Sequence, residues 1–258
     1  MITTINVKRS FAKSAKRYAL HAGLQLETSR SLVEWFAPDA PPKRVLDVGC
    51  GPGFAALAAA EKWPGAEVVA MDLAPEMAAE ARRGGLRRVV AADAAFLPFK
   101  PGVFDGVVSS LALQWVIGGA PDFFRELSAS IKKGGFLCFS LMAEGTLAEL
   151  RNAYSEACAQ CTGQAAVFPS FPNEPKTSEL LREAGFGRVR SERRTVRRGY
   201  KSVDELFGAL KGVGATAPAR PSNPPRRDVL RKTKSLYPSS GGMISATYEI
   251  CFFSGVKN

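Results

Sequence analysis

The stretch of sequence that decides the fold is Arg44–Gly53, which reads R-V-L-D-V-G-C-G-P-G. Its first part, Val45–Val48, is a short and nearly apolar run with β-branched residues, which predicts a strand buried on both faces. The Ala-rich run Phe54–Lys62 comes directly after this stretch and has high helix propensity. Three glycines lie between strand and helix, at Gly49, Gly51 and Gly53. Such a turn brings backbone N–H groups up to a ligand without interference from Cβ atoms.

One acidic residue, Asp47, lies inside this predicted strand, just before the glycine turn. The spacing G-x-G-x-G differs from the G-x-G-x-x-G pattern of dinucleotide sites, and a carboxylate at this point would repel a pyrophosphate. The acid favours a ligand with a positively charged part, such as the amino group and sulfonium of S-adenosylmethionine. The alternative is an ordinary tight turn between a strand and a helix.

The composition indicates a globular chain. The 258 residues are 46% hydrophobic with a mean hydropathy of −0.05, and no apolar run approaches the ~20 residues of a membrane span. The basic N-terminus has no apolar core, so we expect a solvated helix rather than a presequence. Five cysteines, an odd number, fit free thiols in a reducing cytoplasm.

The net charge of +11 is concentrated near the C-terminus. Between Arg182 and Lys234 there are fifteen Lys or Arg and five Asp or Glu residues, which gives +10 for this segment alone. A basic face of this kind predicts an acidic partner: a nucleic acid, an anionic membrane or an acidic carrier protein. A merely solubilising surface is the alternative, although such surfaces usually mix both signs.

Strands and helices alternate along the chain, which predicts a doubly wound, mostly parallel seven-stranded α/β sheet. The predicted strands are Val45–Val48, Glu67–Asp72, Arg87–Ala91, Phe104–Ser109, Phe136–Leu141, Arg188–Arg198 and Ile244–Gly255. The predicted helices are Leu24–Phe36, Phe54–Lys62, Pro75–Arg83, Asp122–Ile131, Thr146–Gln160, Ser178–Ala184, Ser202–Val213 and Arg226–Tyr237.

We expect a single domain over residues 1–258. Residues 1–40 form an N-terminal helical arm in this prediction. Two insertions, 146–176 and 201–240, interrupt the alternation of strands and helices, and we expect them to form a helical lid over the ligand. Residues 162–176 and 215–225 are predicted as loops.

Polar side chains follow three successive predicted strands, at the sheet edge where doubly wound folds bind ligands. Asp72 ends the second strand, where a carboxylate can accept both ribose hydroxyls. Asp93 follows the third strand and is placed to accept the adenine amino group. The run Ser109–Leu111 follows the fourth strand, beside the expected methionine part and methyl group. Each acid alone could equally be a helix cap, but together with the glycine turn they indicate one site.

These motifs resemble those of the class I S-adenosylmethionine-dependent methyltransferases. L-D-V-G-C-G-P-G, M-D-L-A and A-A-D-A are similar to their first three motifs. Within that superfamily, several segments resemble the malonyl-[acyl-carrier protein] O-methyltransferase family of biotin synthesis. They are S-S-L-A-L-Q-W (109–115), L-K-G-V-G-A-T (210–216), T-Y-E-I-C-F-F-S-G (247–255) and the spacing F-x6-Y-x6-Q (Phe11, Tyr18, Gln25).

The resemblance implies methyl transfer from S-adenosylmethionine to the free carboxylate of a malonyl thioester on an acidic acyl carrier protein. A carboxylate is ionised at neutral pH, with a reference pKa near ~4, so the reaction needs no general base. Catalysis is then mainly positioning of the reacting atoms in line. The implied catalytic residues are Tyr18, Gln114 and Lys211. The implied cofactor-binding residues are Asp47, Gly49, Cys50, Gly51, Gly53, Asp72, Leu73, Met77, Asp93, Ala94, Ser109, Ser110 and Leu111.

Three alternatives stay open at this point. The same cofactor motifs would serve a methyltransferase of a small molecule such as a quinone precursor, although this leaves the basic segment without a role. An RNA methyltransferase would use the basic face, but the chain has no R-G-G tract and no N-P-P-Y-type motif. An inactive cofactor-binding protein is the third. We expect a cytoplasmic monomer without nucleic acid, membrane or metal, since Cys158 and Cys161 lack further ligands nearby.

Overall fold

The structure is a computed structural model that describes residues 4–117, 122–168, 170–215 and 226–258. The strands are β1 (Arg44–Val48), β2 (Glu67–Asp72), β3 (Arg88–Ala91), β4 (Phe104–Ser110), β5 (Ile131–Met142), β6 (Phe186–Tyr200), β7 (Ser239–Ser240) and β8 (Met243–Lys257). The helices are α1 (Thr4–His21), α2 (Gly23–Trp35), α3 (Phe54–Lys62), α4 (Pro75–Arg83), α5 (Phe123–Ser130), α6 (Ala148–Thr162), α7 (Glu174–Glu183), α8 (Val203–Gly212) and α9 (Arg227–Leu236).

The strands form one sheet in the order β3-β2-β1-β4-β5-β8-β6. The first five strands in this order run parallel, and β8 is antiparallel to both of its neighbours, β5 and β6. The strand order reverses between β1 and β4, so the carboxyl ends of these two strands flank the crevice in which such sheets bind ligands. The doubly wound, mostly parallel sheet is confirmed.

The strand β1 sits at the centre because its side chains are buried on both faces. Leu46 and Val48 pack into one hydrophobic core together with Phe139 and Phe253, while Val45 faces the core on the other side of the sheet. Asp47 shares the second face and is also fully buried. The central position therefore forces a carboxylate into the interior, next to the turn that follows it.

Several predicted boundaries were wrong. An eighth strand exists, because the short β7 pairs with the start of β8 across Gly241 and Gly242. β5 begins at Ile131, five residues early, since Ile131 pairs with Phe104. α7 begins at Glu174, inside the predicted loop 162–176, because the Asn173 side chain accepts the Lys176 N–H and caps the helix. The predicted loop 215–225 lies almost entirely outside the described residues.

The end of the sheet continues as a two-stranded ribbon. β5 pairs with β8 only as far as Ile250, whereas β6 pairs with β8 for six residues more, to the pair of Tyr200 and Ile244. Six residues of strand span about 20 Å. Leu206 of α8 and Ala153 of α6 pack on this ribbon in a separate hydrophobic cluster. The helices α6 and α8 of the two sequence insertions thus lie at the carboxyl edge of β5, on the same side as the glycine turn.

The described part of the N-terminal arm contains two helices, α1 and α2, and continues without helix after Trp35. α2 packs against α3 and the β4–β5 part of the sheet, and α1 crosses α4 and reaches α8. Ala15 of α1 is buried with Ala74 and Met77 of α4. At the other end, a Cβ on Gly212 would lie 2.3 Å from the His21 ring, so only glycine allows this close approach. α1 therefore connects α4, the helix that follows β2, with α8, which belongs to the second insertion.

Candidate functional site

Asp47 is the most deeply buried acid of the site. Its Oδ2 accepts the backbone N–H of Ala56 at 2.8 Å, while its Oδ1 is buried and has no partner. Burial raises the pKa of Asp47 to about 7, with the charge of Asp72 acting in the same direction and the Ala56 bond against it. A buried carboxylate oxygen without a partner is costly, and a cationic hydrogen-bond donor would relieve that cost.

The glycine turn is held by β2. The N–H groups of Gly49 and Cys50 both donate to the carbonyl of Met71, at 2.8 and 2.9 Å. Gly49 has a φ of +71°, and a Cβ on it would lie 2.4 Å from the Cβ of Ala112, so this position requires glycine. Gly51 also has a positive φ, but the space where its Cβ would stand is open. A ligand can therefore approach the backbone closely at Gly51.

Two further predicted ligand residues have mainly internal contacts. Cys50 is buried, its Sγ lies 3.4 Å from the carbonyl oxygen of Gly51, and burial raises the pKa of its thiol well above the usual value. Gly53 is buried at the start of α3, and a Cβ on it would lie 2.5 Å from Leu86. Both residues therefore hold the shape of the turn through contacts inside the protein, on the side away from the open space at Gly51.

Asp72 fixes the turn from the end of β2. Its Oδ2 accepts the N–H of Gly51 at 2.8 Å, and its Oδ1 accepts the N–H of Ala74 at 2.8 Å. Burial raises the pKa of Asp72, and the hydrogen bonds from backbone N–H groups oppose this shift. Each oxygen retains a second lone pair, so the carboxylate can accept two further donors. Leu73 beside it is half-buried, and Met77 is fully buried under α1.

The residues after β3 form a local turn. Asp93 is half-buried, and its Oδ1 accepts the N–H of Ala95 at 2.9 Å. Ala94 is half-buried against the large hydrophobic core. β3 is hydrogen-bonded to β2, so Asp93 and Asp72 follow neighbouring strands at the same edge. The second carboxylate oxygen of Asp93 has no bond within this turn and is free for a donor.

The end of β4 is tied to both neighbouring strands. Ser109 is fully buried, and its Oγ donates to the carbonyl of Val48 at 2.6 Å. The hydroxyls of Ser110 and Ser140 are 3.2 Å apart. Leu111 has a φ of +52°, a strained conformation for a leucine, and its N–H donates to the Ser140 carbonyl at 3.0 Å. This backbone conformation at Leu111 makes the chain turn sharply directly after β4.

Gln114 lies in the 3-10 turn Leu113–Trp115 that follows. Its Nε2 donates to the carbonyl of Leu111 at 2.7 Å, and its Oε1 is buried without a partner. A third buried acceptor without a partner is Oε1 of Gln25 on α2. Gln25 was missed as a site residue, although the F-x6-Y-x6-Q spacing contained it.

The arm brings Tyr18 to the glycine turn. The Tyr18 ring lies 6.4 Å from that of Phe54, the first residue of α3, and 6.5 Å from that of Phe11. Burial raises the pKa of Tyr18 far above its usual range, and the nearby charge of Asp72 adds to the effect. Tyr18 therefore stays a neutral phenol, beside the carboxylate at the end of β2.

Lys211 is exposed at the end of α8, next to Gly212, which packs on the arm. Thr216, the end of the L-K-G-V-G-A-T segment, lies outside the described residues. Tyr18 and Asp72 therefore lie close together at the glycine turn. Lys211 is connected to this turn indirectly, because its helix α8 packs against α1, which carries Tyr18.

The residues of the site fit a cationic ligand with several hydrogen-bond donors. In the described part of the chain, the buried side-chain N and O atoms without a partner are Oδ1 of Asp47, Oε1 of Gln25 and Oε1 of Gln114, and all three are acceptors. An ammonium group and ribose hydroxyls supply such donors. S-adenosylmethionine meets these requirements.

Comparison with known proteins gives the same answer. A methyltransferase domain family model matches residues 46–139. A malonyl-[acyl-carrier protein] O-methyltransferase of Herminiimonas arsenicoxydans is 31% identical over 255 residues, which covers 96% of this chain and 94% of that protein. One from Halorhodospira halophila is 34% identical, over 95% and 85% of the two chains. The chain belongs to this family.

The fold also matches solved methyltransferases. The structure of a Haemonchus contortus phosphoethanolamine N-methyltransferase 2 in complex with S-adenosyl-L-methionine superposes with a TM-score of 0.59 at 19% identity, over 95% of this chain and 57% of that one. The predicted enzyme class and cofactor are confirmed: the chain is an S-adenosylmethionine-dependent O-methyltransferase. Among the described residues, no group of three or more His, Cys, Asp or Glu could hold a metal, and no helix could span a membrane.

Proposed function

We propose that this methyltransferase esterifies the free carboxylate of a malonyl thioester carried by an acidic acyl carrier protein. The observation that carries the proposal is the similarity to malonyl-[acyl-carrier protein] O-methyltransferases over almost the full length of both chains. We further propose that it acts as a cytoplasmic monomer, a single domain whose segments 146–176 and 201–240 cover the substrate.

S-adenosylmethionine supplies an electrophilic methyl group on a sulfonium. Oδ1 of Asp47 would accept a hydrogen bond from the ammonium group of the cofactor, whose positive charge would favour the ionised form of this carboxylate. Asp72 would accept hydrogen bonds from the ribose hydroxyls, and Asp93 would accept one from the adenine amino group. The open backbone at Gly51 leaves room for the cofactor, and the neutral phenol of Tyr18, near Asp72, would cover it.

The acceptor needs positioning rather than activation. A malonyl carboxylate is already ionised at neutral pH, so the site requires no general base. Lys211 would attract this carboxylate as a cation, and the side-chain amide of Gln114, in the turn after β4, would supply a hydrogen-bond donor to it. Catalysis then consists mainly of holding the carboxylate oxygen in line with the methyl carbon and the sulfur.

The basic segment is the proposed contact for the carrier. Four arginines of β6 already have acidic partners within the chain: Arg188, Arg193, Arg194 and Arg198. Directly before α9, Arg226 pairs with Asp228 in the first turn of that helix. Within α9, Lys234 pairs with Asp204, and the other three cations, Arg227, Arg231 and Lys232, have no acidic partner among the described residues. We therefore assign carrier docking to these three side chains.

The test is methyl transfer from labelled S-adenosylmethionine to three separate acceptors: malonyl-carrier protein, malonyl-coenzyme A and free malonate. We expect strong preference for the carrier thioester and a product whose label is released by mild alkaline hydrolysis, as for an ester. Equal rates with all three would contradict the docking role of α9. No transfer to any of them, with cofactor bound, would favour a small-molecule acceptor such as a quinone precursor.

A further inference from the structure

A cleft of about 390 Å³ opens at the amino ends of β4 and β5, at the edge of the sheet opposite the glycine turn. The linker between α2 and β1 forms one wall, and the ends of β6 and β8 form the other. Its volume lies in the range of small-molecule sites. Since Asp47 and Asp72 are at the carboxyl edge, nothing in the methyl-transfer site accounts for this cleft.

The cleft has an apolar side. Trp35, Phe36 and Pro38 of the linker line it together with Phe136 of β5. Phe36 and Phe136 are in contact, with ring centroids 4.6 Å apart, and belong to the core beneath the sheet. Proline fixes the backbone of the linker, which makes this wall rigid before any ligand arrives.

The charged side of the cleft has an excess of two cations. Asp39 pairs with Arg188, whose Nη1 and Nη2 donate to it at 3.1 and 2.5 Å. Asp105 accepts from Lys132 Nζ at 2.7 Å, so both carboxylates of the cleft are neutralised. The other two cations, Lys133 and Arg190, are exposed and make no side-chain hydrogen bond or ion pair with any described residue.

The backbone at the cleft is strained. The register of β6 against β8 shifts between Gly187 and Arg190, which is a β-bulge. Arg188 within this bulge has a φ of +48°, a conformation that a long side chain adopts only at a cost. Bulges re-aim side chains next to binding sites. Here the bulge directs Arg188 across the cleft to Asp39 and places Arg190 on the cleft wall.

We propose that this cleft binds an amphipathic carboxylate, with its chain against Trp35 and Phe36 and its head group between Lys133 and Arg190. An apolar wall and two unpaired cations fit one anionic group on an apolar body. A neutral ligand would leave Lys133 and Arg190 without a counter-charge, and a strongly polar anion would leave the aromatic wall exposed to water. The site is independent of the methyl-transfer site.

The test is isothermal titration calorimetry with octanoate as the probe. We expect saturable binding at one site per chain, little binding of octan-1-ol, and at least tenfold weaker octanoate binding in the double variant Lys133→Ala/Arg190→Ala. The matched control, Arg227→Ala/Arg231→Ala, removes two exposed cations of α9 and should bind octanoate like the wild type. Saturation with S-adenosylhomocysteine should leave octanoate binding unchanged.

Three results would overturn the proposal. These are non-saturable binding, equal affinity for octanoate and octan-1-ol in the wild type, or displacement of octanoate by S-adenosylhomocysteine. A measurement on wild-type protein gives an independent check, because Trp35 lines the cleft and octanoate should change its fluorescence. That change should disappear in Trp35→Phe and remain in Trp115→Phe, since Trp115 packs on Phe11 at the other edge of the sheet.

Discussion

Replacement of Asp47 by Asn should change stability and cofactor affinity in opposite directions. Because burial raises the pKa of Asp47 to about 7, the free protein is most stable when this carboxyl is protonated. That stability is fully present below the unfolded pKa near ~4 and is lost as the pH rises to about 7. Each pKa unit corresponds to about 1.36 kcal/mol, so the ionised carboxylate costs about 4 kcal/mol at pH 8.

The Asn variant removes this cost but buries an amide N–H₂ where Oδ1 had no partner. An unpaired buried donor costs about 1–3 kcal/mol, so we expect a net gain of about 1–3 kcal/mol at pH 8. This corresponds to a melting temperature higher by roughly 2–10 °C, and the gain should shrink towards pH 5. Cofactor affinity should fall by a factor of roughly 10–100, because the charge-assisted bond to the ammonium group is lost.

Calorimetric titration with S-adenosylmethionine and thermal melts at pH 5 and pH 8 measure both effects. Wild-type protein at pH 6 should release a proton on binding, seen as a dependence of the heat on the ionisation enthalpy of the buffer. Asp105→Asn is the matched control: hydrogen bonds from Lys132 and from the Arg44 N–H outweigh burial and lower the pKa of Asp105, so this variant should lose stability and keep cofactor affinity. Unchanged cofactor affinity in Asp47→Asn would refute the assignment of its Oδ1.

Further variants test the other parts of the molecule. Asp72→Ala should weaken cofactor binding at least about tenfold by calorimetry, through loss of charge-assisted bonds to the ribose, and equal affinity would remove this assignment. Lys211→Ala should lower turnover of malonyl-carrier protein and leave cofactor affinity intact; wild-type turnover would make Lys211 a surface lysine. Gly106→Ala should destabilise the protein by about 3 kcal/mol or more in denaturant melts, since its Cβ would lie 2.1 Å from the ring of Phe136. Gly208→Ala, on α8 with open space around it, should instead stabilise it by about 0.5–1 kcal/mol.

The parallel half of the fold was predictable because its determinants are local. The run Val45–Val48, the glycine turn and the Ala-rich helix after it are contiguous, and the same order of strand and helix recurs along the chain. The start of β5 was not predictable, because Ile131 becomes a strand residue only through its pairing with Phe104. The β7 hairpin was overlooked although Gly241-Gly242 is a frequent two-residue turn.

The charges of β6 show where prediction from sequence stops. The concentration of arginines predicts a basic face, and the strand has one. Three of these arginines, however, pair with Asp39, Glu27 and Glu249, acids 149, 171 and 56 residues away along the chain. Only the sheet order brings such partners together. Arg190 of the same strand and three cations of α9 have no acidic partner among the described residues, and the composition alone did not distinguish them from the paired arginines.

The candidate site was predictable as a set of strand ends, but its acceptors without partners were not. Asp47 and Asp72 stood out because acids are rare in buried strands. Gln25 and Gln114 lie 89 positions apart, and only the packing of α2 on β4 relates their two helices to one edge of the sheet. Whether their Oε1 atoms find a partner depends on the packing of both side chains, which the sequence alone does not show.

The position of β8 has a consequence for biosynthesis. β8 follows β6 in the chain but lies between β5 and β6 in the sheet. On the ribosome, β6 therefore has no strand to pair with until residues 243–257 have emerged. Until then the nascent chain exposes the open edge of β5 and an arginine-rich strand, and the repulsion among those arginines disfavours pairing of that strand with another nascent chain. We therefore expect the charge of β6 to disfavour wrong strand pairing during synthesis, in addition to forming ion pairs in the folded enzyme.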